Sequence, residues 1–212
     1  MILFHSGTGK DSIMLLDLLS GFRKVHCVFM YIVKGLDYEA KRIEWAEKQY
    51  PNCTFYQTPH YAVYSFIKHG YLGIKKDESQ TNMNISKIDQ MFRKKLNVNY
   101  SVYGFKKNDG ITRRMMLRDT PTGIHPKTNK VYPLMNLNNR DVLNYIRDKQ
   151  LVTPFNYGTN KPSSGCDIST PEFLAYLKKN HPEDLQKIFT QYPLTEVNLF
   201  KYEAYKRVDP AI

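Results

Sequence analysis

One stretch near the start of the chain decides the fold: Ile2-Leu3-Phe4-His5-Ser6-Gly7-Thr8-Gly9-Lys10-Asp11-Ser12-Ile13. Its first four residues have strand character, its middle holds two glycines, and an apolar helical pattern continues from its end to Leu19. Glycines let backbone N–H groups turn toward a ligand, and the N-terminus of the following helix adds a partial positive charge. The stretch therefore predicts a strand, a phosphate-binding loop and a helix. The predicted ligand contacts are Ser6, Gly7, Thr8, Gly9, Lys10, Asp11 and Ser12.

Two familiar nucleotide-binding loops do not fit this stretch. A Walker A loop needs glycine where Phe4 stands and a hydroxyl residue where Asp11 stands, and a Rossmann loop needs glycine at Ser12. The pattern S-G-T-G-K-D-S resembles instead the PP-loop of the ATP pyrophosphatases, S-G-G-x-D-S, with one residue more. A helix-capping turn with incidental glycines is the alternative interpretation.

Strand-like and helical segments alternate along most of the chain. Strands are predicted at residues 2–5, 25–33, 54–57, 100–105 and 131–134. Helices are predicted at residues 13–19, 37–49, 60–68, 85–96, 139–149, 170–180 and 182–191. This alternation predicts an α/β fold: a three-layer sandwich with a mostly parallel five-stranded sheet, helices on both faces and a closing C-terminal helix pair. The length fits a single domain over residues 1–212.

The composition gives a formal net charge of +11, from 31 Lys and Arg against 20 Asp and Glu. This charge favours an anionic partner such as a nucleotide, a nucleic acid, a sulfate or an acidic membrane surface. Three cysteines without a C-x-x-C pair argue against a zinc ribbon, a thioredoxin-type redox pair and an all-cysteine iron–sulfur site. Because no signal peptide or membrane-spanning stretch is recognisable, we expect a cytoplasmic protein without a membrane partner.

Read onward from the glycine loop, the chain resembles the phosphoadenosine phosphosulfate (PAPS) reductase family, within the adenine nucleotide α-hydrolase-like superfamily. Residues 131–134 (V-Y-P-L) and 138–146 (N-N-R-D-V-L-N-Y-I) are similar to the family segment "yPl…w…dV..Yi", and a proline-containing turn follows at 151–155. The stretch from Tyr103-Gly104 to Arg113-Arg114 resembles the family's G-x-R-x-x-E-S region, with Lys106 at the Arg position and no E-S pair.

The resemblance implies an adenine nucleotide along the carboxyl edge of a five-stranded sheet, with its phosphates in the glycine loop. It implies adenine contacts near Tyr31 and Val33 and a contact from Lys106 to the far end of the ligand. Asp37 is either the counterpart of the family's acidic residue beyond the second strand or a plain helix cap.

A basic segment follows the fourth predicted strand and contains Lys106, Lys107, Arg113, Arg114 and Arg118. Arginine binds phosphate or sulfate through two parallel hydrogen bonds, so we expect at least one of Arg113 and Arg114 to contact the ligand. A solvated loop is the alternative. Dispersed positive charge elsewhere leaves contact with a nucleic acid open.

These observations support three functional hypotheses. The first is an enzyme that cleaves ATP between its α- and β-phosphates and transfers the adenylyl group to an acceptor, with Lys10, Asp11, Arg113 and Arg114 as catalytic residues. Asp11 is then also the candidate partner of Mg²⁺. The acceptor can be a nucleic acid or a sulfur carrier, and a homo-oligomer stays open.

The second hypothesis is a reductase of PAPS or adenylyl sulfate that uses Cys166 or an external thiol. Reductases of the resembled family carry a nucleophilic cysteine in an E-C-G-L-H motif near the C-terminus, and residues 196–212 contain no such motif. Cys166 is also readily interpreted as a small, semi-buried residue ahead of a helix. The third hypothesis is a nucleotide-binding subunit of a modification complex, without chemistry of its own.

Overall fold

The structure is a computed structural model, and it describes residues 1–5, 9–22, 24–154 and 167–208. Its strands are β1 (Ile2–His5), β2 (Val25–Tyr31), β3 (Cys53–Pro59), β4 (Ser101–Tyr103), β5 (Ile124–His125) and β6 (Lys130–Val131). Its helices are α1 (Lys10–Leu19), α2 (Asp37–Gln49), α3 (Tyr61–His69), α4 (Ile85–Leu96), α5 (Ile111–Met116), α6 (Asn139–Asp148), α7 (Pro171–Asn180), α8 (Pro182–Gln191) and α9 (Leu194–Val208). Short 3₁₀ helices lie at Tyr71–Gly73 and Lys107–Asp109. Within these residues no helix is both long and apolar enough to cross a bilayer.

The strands form one mixed sheet in the order β3-β2-β1-β4-β6-β5. β1 pairs in parallel with β2 and β4, β4 pairs in parallel with β6, and β5 runs antiparallel to β6. The prediction of a five-stranded sheet is therefore wrong, because the sheet has six strands and an antiparallel edge. β5 and β6 have two residues each, too few to show an alternating pattern in the sequence. The predicted strand at 131–134 ends early because Pro133 has no N–H to extend the ladder.

Helices pack on both faces of the sheet, as predicted. Cys27 of β2 and Val102 of β4 join a buried core with apolar residues of α1, α2 and α6. On the opposite face, the hydroxyl of Ser101 hydrogen-bonds to Asp89 of α4. Because successive side chains of a strand point to opposite faces, Ser101 and Val102 serve two different helix layers.

The chain divides into two compact units. The first comprises residues 1–30, 42–58 and 85–154, and the second comprises residues 31–41, 59–84 and 155–212. The core of the second unit joins Val33, Leu36 and Tyr38 to apolar residues of the C-terminal helices. The chain passes repeatedly between the units, and its organisation as one domain stays a prediction.

The C-terminal region contains three helices, so the predicted closing pair is incomplete. α7 and α8 begin with Pro171 and Pro182, close to their predicted bounds, because proline suits the first turn of a helix. α9 was not predicted. Its apolar pattern is weak toward the core, since Leu199 is buried while Val197 and Phe200 are exposed.

Candidate functional site

The candidate site lies in the first unit, at the carboxyl ends of β1 and β4. β1 is flanked by β2 on one side and by β4 on the other, so the order of the strands reverses at β1. In open α/β sheets the ligand crevice lies outside the carboxyl ends of the strands at such a switch point. The segments that leave these ends are residues 6–12, after β1, and residues 104–109, after β4.

The start of α1 places part of the predicted glycine loop in a helix. The helix begins at Lys10, with Gly9 as its N-cap, so Lys10, Asp11 and Ser12 form its first turn. Gly9 has no side chain that could accept a hydrogen bond from the helix N–H groups, and a free helix N-terminus favours anions. Lys10 and Ser12 are buried. The three remaining loop residues, Ser6, Gly7 and Thr8, lie outside the described residues.

Lys106 is the centre of an ionic cluster at this site. Its Nζ lies 2.7 Å from Oδ1 of Asp11 and 3.0 Å from Oδ1 of Asp109, while its side chain is only 1% exposed. The second oxygen of Asp11 lies 3.2 Å from Nζ of Lys10. We call these four residues (Lys10, Asp11, Lys106 and Asp109) the Lys106 cluster. Its two ammonium groups balance its two carboxylates, which is what allows a lysine to be buried so completely.

Asp109 is a member of this cluster that the sequence analysis missed. Its Oδ2 accepts a hydrogen bond of 2.8 Å from the backbone N–H of Lys106, so it fixes both ends of that residue. The only signal in the sequence is an acidic residue three positions after a lysine, a spacing that is common on surfaces and carries little information.

Gly104 makes the close approach of α1 to the end of β4 possible. A Cβ at this position would lie 3.2 Å from Cβ of Asp11 and 3.3 Å from Cδ1 of Leu15. Since both distances are shorter than ordinary carbon–carbon contacts, any side chain here would push α1 away. The glycine thus sets the distance between Asp11 and the segment that carries Lys106.

Arg113 lies against a stack of aromatic rings beside the cluster. Its guanidinium carbon is 3.6 Å from the centre of the Phe105 ring, and this ring stacks on Tyr103 and Tyr132 at centroid distances of 5.3 and 6.2 Å. Burial raises the pKa of Tyr132, and the charge of Arg113 partly offsets that rise. The cation–π contact therefore restricts the position of Arg113.

The rest of the basic segment does not gather at one place. Lys107 donates to the side-chain oxygen of Asn136, Arg118 pairs with Asp119 at 3.3 Å on the surface, and Arg114 is exposed. The structure therefore brings together Lys10, Asp11 and Lys106 among the predicted residues, with Arg113 on the adjoining rings. A ligand contact from Arg113 or Arg114 stays a prediction.

Three further predicted nucleotide contacts fall in the second unit. The backbone oxygen of Tyr31 accepts a 2.8 Å hydrogen bond from the N–H of His60, and burial raises the pKa of the Tyr31 hydroxyl. Val33 is buried in the core of this unit. Asp37 is the first residue of α2, and its Oδ1 lies 2.7 Å from Nζ of Lys187.

The cap of α2 is Asp184, a residue that the sequence analysis did not select. Its two carboxylate oxygens accept hydrogen bonds of 2.7 and 3.0 Å from the backbone N–H groups of Asp37 and Tyr38. Lys187 also lies 3.0 Å from Asp184, and we call Asp37, Asp184 and Lys187 the Asp184 cluster. Asp37 is therefore capped by another carboxylate and does not cap the helix itself. No local pattern could reveal this, because the two residues are 147 positions apart.

The described cysteines are poorly suited to thiol chemistry. Cys27 and Cys53 are both buried, and a hydrogen bond with Cys53 together with burial raises the pKa of the Cys27 thiol. A buried, protonated thiol is a poor nucleophile. Cys166 lies outside the described residues.

Asp11 does not have the surroundings of a direct metal ligand. Both of its oxygens face lysine ammonium groups, Oδ1 toward Lys106 and Oδ2 toward Lys10. In the described part of the chain no three His, Cys, Asp or Glu side chains gather in a way that could hold a metal ion. The Mg²⁺ role of Asp11 stays a prediction that the geometry around this carboxylate does not favour.

Comparison with known proteins gives one family and two similar structures. The sequence model of the family described as phosphoadenosine phosphosulfate reductase domain matches residues 1–170. The crystal structure of phosphoadenylyl-sulfate (PAPS) reductase from Candida auris, a phosphate complex, is similar at 16% identity and a TM-score of 0.47, covering 71% of this chain and 73% of that one. The U34-tRNA thiolase NcsA from Methanococcus maripaludis, with its 4Fe-4S cluster, is similar at 18% identity and a TM-score of 0.40, covering 92% and 71%. No curated protein sequence matches the chain.

Proposed function

Because the chain belongs to the phosphoadenosine phosphosulfate reductase domain family, which uses adenine nucleotides as substrates, we propose that it is an ATP-cleaving enzyme. The cleaved bond lies between the α- and β-phosphates, the adenylyl group passes to an acceptor, and pyrophosphate is released. The acceptor's class is a nucleic acid or a sulfur carrier. The family resemblance assigns the phosphates to residues 6–12 and the adenine to Tyr31 and Val33.

The observation that carries this proposal is the Lys106 cluster. Lys10 and Lys106 hold two buried positive charges beside the free N-terminus of α1, at the switch point of the sheet. Charges that are already shielded from water attract an anion more strongly than exposed ones, and they need little reorganisation when it arrives. A polyphosphate is the anion that matches this density of positive charge.

The proposed reaction is a displacement at the α-phosphorus. A nucleophilic atom of the acceptor forms a bond to this phosphorus, the bond from phosphorus to the bridging oxygen breaks, and pyrophosphate leaves with the electron pair. Lys10 and one of Arg113 and Arg114 stabilise the charge that develops on the α-phosphate. Lys106 keeps Asp11 in place, so that the first turn of α1 presents Lys10 in a fixed position. No step uses a metal held by Asp11.

A PAPS or adenylyl-sulfate reductase is the second candidate, favoured by the description of the matched family. It requires a thiolate that attacks the sulfur atom of the substrate. Because Cys27 and Cys53 are buried, the thiol would come from Cys166 or from an external protein.

Incubation with ATP labelled in the α-phosphate tests the first candidate, with water as the default acceptor. We expect labelled AMP together with pyrophosphate, and a rate that falls by about 100-fold in Lys10→Ala and Lys106→Met, as when an electrostatic contact to a transition state is removed. The matched control is Arg118→Ala, which removes an exposed cation and is expected to leave the rate unchanged.

The other two hypotheses predict different outcomes of the same assay. Sulfite released from PAPS in the presence of thioredoxin, and lost in Cys166→Ala, would replace the ATP-cleaving proposal with the reductase. Tight binding of ATP without any product would replace it with the nucleotide-binding subunit.

A further inference from the structure

A single C-terminal helix contacts the segment that follows β2. Four side chains from residues 184–192, in α8 and at its end, hydrogen-bond to residues 32–38. Residues 32–38 run from the end of β2 into the first turn of α2. Residues 184–192 lie beyond the 170 residues that match the family, so the family match assigns them no role.

Asp184 makes the strongest of these contacts. Its side chain is 1% exposed, and its two oxygens accept hydrogen bonds from the N–H groups of Asp37 and Tyr38, the first two residues of α2. A buried carboxylate at a helix N-terminus is stabilised both by these bonds and by the partial positive charge of the helix. The position of the helix start therefore depends directly on Asp184.

The other contacts fix the turn ahead of α2. Nζ of Lys187 donates to the backbone oxygen of Gly35 at 2.7 Å, next to its ion pair with Asp37. Gly35 has a φ of +77°, in the left-handed region that favours glycine, so the chain turns sharply at this point. At the other end, Nε2 of Gln191 and the hydroxyl of Tyr192 lie 3.4 Å from the backbone oxygen of Ile32.

We propose that α8 positions residues 32–38 for recognition of the nucleoside portion of the nucleotide, with Asp184 as the principal positioning residue. The inference rests on the proposed function, because Tyr31 and Val33, at the start of this segment, are the residues assigned to adenine. A backbone segment can read the edge of a base only if its N–H and C=O groups are held in place, and displacements of about 1 Å are costly. The phosphates are assigned to other residues, so a loosened segment weakens ATP but leaves pyrophosphate unaffected.

Binding of ATP and of pyrophosphate to Asp184→Asn, measured separately by calorimetry on the full chain, tests this inference. The Asn side chain keeps the size of Asp but offers one acceptor where two N–H groups donate. We expect the Kd for ATP to rise about tenfold and the Kd for pyrophosphate to stay within about twofold.

Asp141→Asn is the matched control. Asp141 accepts a 2.8 Å hydrogen bond from the backbone N–H of Asn138 at the start of α6, so the variant also weakens a carboxylate contact at a helix N-terminus. α6 carries no residue assigned to the nucleotide. We expect both Kd values to stay within about twofold of wild type.

Lys187→Gln provides a second variant with a milder change, because it leaves the two backbone bonds of Asp184 intact. We expect the Kd for ATP to rise about threefold without a change for pyrophosphate. An unchanged Kd for ATP in both variants, or an equal loss for both ligands, would overturn the positioning role while the proposed function stands. A wild-type chain that binds no adenine nucleotide would overturn the proposed function itself, and the inference with it.

Discussion

Two lysines in this protein make the same contacts in different surroundings. Nζ of Lys106 lies 2.7 Å from Asp11 and 3.0 Å from Asp109, and Nζ of Lys187 lies 2.7 Å from Asp37 and 3.0 Å from Asp184. The difference is in which partner is buried. The side chain of Lys106 is 1% exposed between carboxylates that are 26% and 31% exposed, whereas Lys187 is 37% exposed.

Distance alone therefore cannot rank these ion pairs. An exposed pair contributes little because water and salt screen it, while breaking a buried pair leaves a charge without compensation. In the Lys106 cluster the costly member is the lysine. In the Asp184 cluster the costly member is the carboxylate, and the lysine is replaceable. Each prediction below tests this contrast.

Lys106→Met should have the largest effect on stability. It removes the ammonium group and leaves Asp11 and Asp109 without their shared partner, and we expect the free energy of unfolding to fall by about 2–3 kcal/mol. Urea unfolding measures this loss. Lys106→Arg, which keeps the charge, should lose less than half as much. A loss for Lys106→Met no greater than that of an exposed pair would show that burial does not separate the two lysines.

Asp184→Asn should come next, with a loss of about 2 kcal/mol near neutral pH, since hydrogen bonds to a charged group are lost. Burial acts to raise the pKa of Asp184, but the N–H groups of Asp37 and Tyr38 and the ammonium of Lys187 outweigh it and hold the pKa below its ordinary value. A lowered pKa contributes stability above the unfolded value of about 3.9, and this contribution disappears as the pH falls below it.

The pH dependence separates this effect from a general packing defect. Unfolding free energies of wild type and Asp184→Asn should differ fully above about pH 5 and converge below about pH 4. A difference that stays constant from pH 7 to pH 3 would contradict the role of the ionised carboxylate.

Glu39→Gln should have a smaller effect and the opposite sign. Burial raises the pKa of Glu39 to about 8, the hydrogen bond from Tyr38 lowers it in part, and Asp184 adds to the rise. Between about pH 4.5 and 8 the folded chain keeps a proton that the unfolded chain has released, so wild-type stability falls as the pH rises. Because Gln does not titrate, we expect the Tm of the variant to exceed that of wild type by about 2–4 °C at pH 8.5 and to match it at pH 4.5.

Lys187→Met should have the smallest effect on stability, a loss within about 1 kcal/mol. Asp184 keeps its two backbone bonds in this variant, and the freed Asp37 is exposed to water. The same urea series as for Lys106→Met gives a direct comparison, because the substitution is identical. Equal losses for the two lysines would remove the contrast between the clusters.

The local parts of the fold and site were predictable from the sequence. A strand, a glycine pair and a helix start lie within twelve consecutive residues, and Lys10, Asp11 and Lys106 meet where parallel strand ends predict. The alternation of segments predicted an α/β fold with helices on both sides of a sheet. These features depend on neighbours in the sequence, where periodicity and turn residues carry the information.

The remaining features depend on contacts that no local pattern encodes. Asp184 acts on α2 from 147 residues away, and Asp109 joins the site through a spacing that is common elsewhere. β5 is too short to show alternation, and α9 places Phe200 at the surface, where a core-facing pattern would bury it. In each case the tertiary contact, and not the propensity of the segment, decides the structure.

The distance in sequence between Asp37 and Asp184 has a consequence for the order of folding during synthesis. All four members of the Lys106 cluster have been added once residue 109 is in place, about halfway along the chain. The first turn of α2 receives its cap only after residue 184 has left the ribosome. At a synthesis rate of about 5–20 residues per second, α2 therefore waits for several seconds with its start open. The phosphate end of the site is completed early, and the segment assigned to the base is completed among the last steps.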